Sequence, residues 1–237
     1  MHYSAMEYGR IFFSQYTKAN SGIRIVDIGS QDVNGSLRSV SLSGNKFIGV
    51  DFVVGKGVDV VITDPYNLPF ESDSIDVVVC SSCFEHSEFF WLLFNDIMRI
   101  LKAGGIFYLN VPSNGNFHQY PVDCWRFYPD SGIALQNWGV KSGHDVVLLE
   151  SFIGNQDKAI WNDFIAVFLK DASKISQFPN RILAVKNAYM NGICHDANDM
   201  LKKRIVSEDQ GQSILSFIVK RVSSKYDAFL AMVFPKR

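Results

Sequence analysis

The run "SIDVVVCSS" (74–82) limits the fold of this chain more than any other stretch. It is apolar almost throughout, β-branched and short, so it reads as a strand covered on both faces. Such a strand needs parallel neighbours and helices on either side of the sheet. The flanks supply both. "IRIVDI" (23–28), "KFIGVDF" (46–52) and "VDVVI" (58–62) precede it as strands, and "IFYLNVP" (106–112) follows as a fifth. "EFFWLLFNDIMRILK" (88–102) reads as a helix stopped by "AGG" (103–105), glycines suited to a C-terminal cap. Residues 1 to about 20 fit a leading helix, and the spacing from Val33 to about Leu42 fits another. A short helix near 130–138 and two strands, "HDVVLLESF" (144–152) and "WNDFIAVFLK" (161–170), complete the pattern. The expectation is an α/β fold: a doubly wound, mostly parallel, seven-stranded sheet with helices on both faces.

At 237 residues and 47% hydrophobic, the chain has enough apolar material for one large core. The expected domain is 1–170. Beyond it, 171–237 is expected to be a mainly helical C-terminal extension, from "NRILAVKNAYM" and "SILSFIVKRV". Alternatively, the final "AFLAMVF" is the last sheet strand and 171–220 an insertion. A net charge of −1 predicts no broad electrostatic footprint for nucleic acid. No apolar run approaches the ~20 residues of a membrane span. The N-terminus lacks the pattern of a secretory signal, and four cysteines make no disulfide framework. A cytoplasmic protein is expected.

In an open sheet of this kind, ligands bind beyond the carboxyl ends of the strands. "VDIGSQDVNGS" (26–36) runs from the first strand into a glycine turn, with Asp27 at the strand end and Gly29 where the backbone must turn or approach a ligand. Asp51 ends the second strand 24 residues later, where an acid commonly holds ribose hydroxyls. Gly29 and Gly35 are too widely spaced to cradle a pyrophosphate, so a nucleoside without phosphate suits the turn better than a dinucleotide does. Asp64 follows the third strand, where a carboxylate can accept from an adenine amino group.

Four stretches, "VDIGS", "FIGVDF", "DPYNLPFESDSIDVVVCSSCFEH" and "RILKAGGIFYLNVPS", stand in order between Ile25 and Ser113. Together they resemble a class I, Rossmann-like S-adenosylmethionine-dependent methyltransferase. The resemblance implies that Asp27, Gly29, Ser30, Gln31 and Gly35 line the methionine side of S-adenosyl-L-methionine. It implies Asp51 on the ribose with Phe52 beside the adenine, and Asp64, Pro65 and Tyr66 on the adenine edge. Ser81 and Ser82 would lie under the sulfonium. The usual D-x-G-x-G-x-G is here "DIGSQDVNG", which alters the loop from Gln31 to Asn34.

After the fifth strand, "SNGNFHQYPVDCWRFYPDSG" (113–132) is polar, aromatic and broken by proline, and is expected to carry the acceptor site. A hydroxyl acceptor must lose a proton as it attacks, and a histidine suits that work. His118 is the preferred base and His86 of "CFEH" its rival; His86 otherwise orders its loop. Tyr120 and Trp125 would wall the acceptor, while Asp123 and Arg126 would orient it. The alternative is an Asp123–Arg126 ion pair pinning the loop, with Trp125 and Phe127 in the core. "H-x-x-P-V-D-x-W-R-F" also resembles a segment of methyltransferases among glycan biosynthesis enzymes. That implies O-methylation of a sugar or other small molecule. N- or C-methylation of a secondary metabolite, or a non-catalytic cofactor-binding partner, are the alternatives. A homodimer is compatible. No metal centre is expected, because Cys80 and Cys83 lack a second pair at zinc spacing.

Overall fold

Alternation at a period of two sorts the sheet residues into two cores. In the strand Ile75–Ser81 (β4), Val77 and Val79 join one cluster while Val78 and Cys80 join the other. Leu101–Pro112 (β5) repeats this with Ile106 and Tyr108 against Phe107 and Leu109. The computed structural model that gives this arrangement describes residues 2–156 and 161–205. Its contacts divide the chain into Met1–Lys203 and Arg204–Arg237, and the fold set out here is that of the first unit.

The remaining strands are Arg24–Ile28 (β1), Lys46–Asp51 (β2), Val60–Val61 (β3), Val146–Gly154 (β6), Asp163–Lys170 (β7) and Tyr189–Cys194 (β8). They form one sheet in the order β3-β2-β1-β4-β5-β7-β6-β8. The first five positions are parallel, and the pairings β5–β7, β7–β6 and β6–β8 are antiparallel. The winding reverses between β1 and β4, which opens a crevice at their carboxyl ends. Tyr3–Tyr16 (α1) covers one face through Tyr8, Phe12, Phe13 and Tyr16. Phe90–Ile100 (α2) and Ser131–Lys141 (α3) cover the other through Leu93, Phe94, Ile97 and Leu135.

Four expectations are corrected. The helix from Val33 to Leu42 contracts to a 3-10 turn, Leu37–Val40. Asp32 Oδ1 accepts the Gly35 N–H (2.8 Å) and Ser36 Oγ accepts the Arg38 N–H (3.2 Å), so short polar side chains take the amides a helix would use. "AGG" does not cap α2: Leu101 is already extended and pairs with Ile75, and Ala103–Gly105 form an irregularity within β5 before Ile106 pairs with Val77. The third strand shrinks to two residues.

The fourth correction concerns the tail. Instead of a helix over "NRILAVKNAYM", the chain makes a 3-10 segment Ala172–Gln177, a single turn Ile182–Val185 (α4) and β8, the eighth strand among the described residues. The buried Glu150 of β6 draws the chain in. Its carboxylate accepts from Tyr16 Oη (2.6 Å), Ile182 N (2.7 Å) and Leu183 N (2.9 Å), tying α1, β6 and α4 together. "SILSFIVKRV" and "AFLAMVF" lie outside the described residues.

Candidate functional site

The crevice is floored by the first turn. Gly29 has φ +76°, and a Cβ there would sit 2.8 Å from Cys83 Cβ, so the backbone conformation and the close approach both require glycine. The Gly29 and Ser30 N–H groups both donate to the Val50 carbonyl (3.0 and 3.1 Å), locking the turn to β2. Asp27 is buried at the end of β1. Burial pushes its carboxyl up to about 8; Arg38 opposes the rise and the Asp51 charge adds to it. Gly35, at φ +123°, lies further along the turn, which leans on the loop after β2 through Asp32 N to Lys56 O (2.8 Å).

Asp51 closes β2 beside this turn. Its Oδ2 accepts the Gln31 N–H (3.0 Å), and its Oδ1 accepts those of Phe52 (2.7 Å) and Val53 (3.4 Å). Phe52 is exposed. Asp64 is exposed as well and accepts the Tyr66 N–H (2.9 Å) in the turn through the half-buried Pro65. Tyr66 Oη accepts the Phe89 N–H (3.1 Å).

Across the crevice, Ser81 ends β4 opposite Asn110 of β5. Ser82 follows in the left-handed region (φ +55°), its N–H donating to Asn110 O (2.9 Å). Such a conformation in a residue with a Cβ is uncommon and collects at functional sites. Ser30 Oγ, Ser81 Oγ and Asn110 Oδ1 are buried without a partner among the described residues. Three unsatisfied polar atoms at the ends of β1, β4 and β5, with the carboxyl groups of Asp27 and Asp51, suit a polar nucleoside ligand. A separate groove of about 550 Å³, lined by Tyr16, Lys18, Asp76 and Lys102 among others, opens at the other ends of the strands.

The loop 113–130 reaches back over the first turn. Tyr120 Oη donates to Gln31 Oε1 (2.9 Å), joining residues expected to serve acceptor and cofactor. Asp123 has no exposed side-chain surface. It takes Arg126 Nη1 on Oδ1 (2.5 Å), and Nη2 (2.8 Å) and the His118 N–H (2.7 Å) on Oδ2. Arg126 also donates to Asn116 O (2.8 Å) and Trp125 O (2.8 Å). The arginine hydrogen bonds hold the Asp123 carboxyl well below the usual carboxylate range. In this structure the pair pins the loop. Trp125, about one-third exposed, donates from Nε1 to Ser87 O (2.9 Å).

The two histidines meet. The His86 and His118 rings lie edge to face, centroids 5.0 Å apart. His86 Nδ1 faces the Val122 carbonyl (2.5 Å), which can only accept, so the proton is on Nδ1 and Nε2 carries the lone pair. Burial lowers the His86 pKa, keeping the ring neutral at pH 7. His118 Nδ1 lies 3.3 Å from Asn116 O and 3.5 Å from Asp123 Oδ2.

Sequence reasoning passed over two neighbours. Glu85 is 1% exposed, with Oε1 3.8 Å from His86 Nε2 and Oε2 unpartnered among the described residues. Burial raises its carboxyl to about 8. Its signal was adjacency to His86 in "CFEH". Trp161 lies 5.1 Å from the His118 ring and 5.9 Å from the Arg126 guanidinium, and it fills the space a Cβ on Gly115 would need. No spacing in the sequence announces that contact.

Residues 32–109 match the family described as a methyltransferase domain. No curated protein sequence matches the chain. Among solved structures, it is similar to the Burkholderia thailandensis 1,6-didemethyltoxoflavin-N1-methyltransferase with bound 1,6-didemethyltoxoflavin and S-adenosylhomocysteine. That likeness has 16% identity and a TM-score of 0.55, covering 71% of this chain and 79% of the other. The [4+2]-cyclase SpnF is similar at 12% identity and TM-score 0.53, over 71% and 82%. A chain of the complex between the Haloferax volcanii Trm112 methyltransferase activator and a methyltransferase is similar at 18% identity and TM-score 0.51, over 70% and 89%. Identities this low establish a shared fold; a cyclase in the set illustrates why a fold alone does not name a reaction. The family match supplies the rest: residues 32–109 carry a methyltransferase domain, an enzyme domain whose cofactor is S-adenosylmethionine.

Proposed function

We propose that the chain methylates an oxygen of a small molecule, a sugar in the first instance, as a step in glycan biosynthesis. The supporting observation is the pairing of His86 and His118 beside a loop that Tyr120 fastens to the first turn. When bound, S-adenosylmethionine supplies a methyl group on a sulfonium, already a good leaving group. Asp27, Gly29, Ser30, Gln31 and Gly35 would hold its methionine side, Asp51 and Phe52 the ribose and adenine. Asp64, Pro65 and Tyr66 would hold the adenine edge, and Ser81 and Ser82 the sulfonium side. The protein's remaining tasks are to align the acceptor and take its proton. His118, the more exposed of the two imidazoles, is the assigned base, with neutral His86 behind it. Tyr120 and Trp125 wall the acceptor; Asp123 and Arg126 act on it by fixing the loop. A cytoplasmic setting and a homodimer complete the proposal, to be tested by fractionation and light scattering. Among the described residues no helix is long and apolar enough to cross a membrane.

Calorimetric titration with S-adenosylmethionine, with NADH as the contrast, tests the cofactor site. Binding of the first alone, weakened at least tenfold by Asp51→Ala, is expected; methyl transfer to a panel of sugars then tests the acceptor. Full activity with both histidines replaced would move the acceptor atom to nitrogen or carbon. One observation favours a non-catalytic partner instead: Asp51 already accepts three backbone N–H groups. Absence of cofactor binding would put that reading first.

A further inference from the structure

Glu85, His86 and His118 each bring one donor atom within 4.8 Å of the other two. We propose that these three side chains form a site for a divalent transition-metal ion, Zn²⁺ being the best match to two imidazoles and one carboxylate.

The second shell argues for this as much as the donors. A ligating imidazole usually donates its other N–H to a carbonyl or carboxylate, which fixes the tautomer and aims the lone pair. His86 does so through Nδ1 to Val122 O, leaving Nε2 toward Glu85. His118 has the Asn116 carbonyl and the Asp123 carboxylate beside Nδ1. Asp123 is itself held by Arg126 and shows no exposed side-chain surface, so it is a fixed support. Glu85 adds an independent sign. Its Oε2 is buried without a partner among the described residues, and the 3.8 Å from Oε1 to His86 Nε2 is too long for a hydrogen bond. A buried carboxylate oxygen left unpaired is costly, and a cation between it and the imidazoles removes that cost.

Donors about 2.1 Å from a tetrahedral zinc stand ~3.4 Å apart, so a small inward movement completes the set. The partly exposed His118 sits at the loop and can make it. Three protein ligands leave a coordination position open. With the ion bound, His118 is a ligand and an acceptor hydroxyl at the open position would be acidified and release its proton to solvent; the role of base assigned to His118 applies to the ion-free protein. This use rests on the methyl-transfer reading; the ion site does not.

The test uses the full chain stripped with chelator and titrated with Zn²⁺, and with Co²⁺ for its absorption spectrum. One equivalent is expected, with a Co²⁺ spectrum free of thiolate charge transfer. Glu85→Gln and His118→Ala should each weaken binding at least tenfold while circular dichroism stays unchanged. The proposal is overturned if the folded chain binds no stoichiometric zinc, if both variants bind as tightly as the parent, or if the cobalt spectrum reports cysteine. Cofactor titration of the same samples separates the two proposals. Cofactor binding without zinc removes the ion site alone, and zinc without cofactor removes methyl transfer alone.

Discussion

Replacing Arg126 tests how loop 113–130 is held. In Arg126→Met, Asp123 keeps one hydrogen bond, from the His118 backbone N–H, with the His118 ring 3.5 Å away, while its side chain stays covered. Breaking a buried pair by removing one partner costs about 3–5 kcal/mol, because the remaining charge is uncompensated. Arg126 is one-fifth exposed, so the lower end, about 3 kcal/mol, is the expectation. In the double variant Asp123→Asn/Arg126→Met, no charge remains and the amide can still accept the His118 N–H. Its cost should fall to about 1 kcal/mol, roughly 2 kcal/mol below Arg126→Met alone, so the cycle closed with Asp123→Asn is non-additive. Urea melts measure these values. In a chain this size, 3 kcal/mol corresponds to a fall of roughly 6–12 °C in Tm. Lys102→Met, which removes the more open pair with Asp76, should cost under about 1 kcal/mol. If Arg126→Met cost no more than Lys102→Met and the double variant were additive, the pair would not be pinning the loop.

Gly29→Ala combines a positive φ with the 2.8 Å approach to Cys83 Cβ, so it should destabilise by about 2–3 kcal/mol and abolish cofactor binding; adding Cys83→Gly, which removes that Cβ, should restore only the steric part, as read by melting and calorimetry. Asp27 holds its proton up to about pH 8, so a cationic methionine end beside it should displace that proton. At pH 7, calorimetry in buffers of differing ionisation enthalpy should record net proton release, and affinity should rise with pH toward 8; no release would place the ligand's charge elsewhere. For Glu85 the folded value of about 8 lies above the ordinary 4.5, so the native state binds more protons between those values and stability falls as pH rises through that window. Glu85→Gln, melted in chelator, should lose this slope, up to roughly 1.4 kcal/mol per pH unit; parallel pH profiles would refute it.

The parallel half of the sheet was legible because strands buried on both faces carry their own pattern, as Val77 to Cys80 do. The positions of the glycine turn and Asp51 were legible because both stand at the ends of strands with a clear apolar pattern. Local composition misled at "AGG", where Leu101 had already entered the sheet through its partner Ile75. It misled again in the tail, where Glu150 recruits Ile182 and Leu183 across a long stretch of chain. The Asp123–Arg126 pin is visible in the sequence as opposite charges three residues apart. The meeting of His86, His118 and Trp161 depends on how a long loop folds back, which no periodicity encodes.

The bond from Tyr120 to Gln31 has a kinetic consequence. If the spent cofactor leaves past the first turn, the loop must release Gln31 first, and turnover would then be paced by that opening. Initial-rate patterns would follow a compulsory order, with the acceptor product departing before the cofactor product. Tyr120→Phe would shorten the residence of the latter even though Tyr120 is not among the residues assigned to hold it.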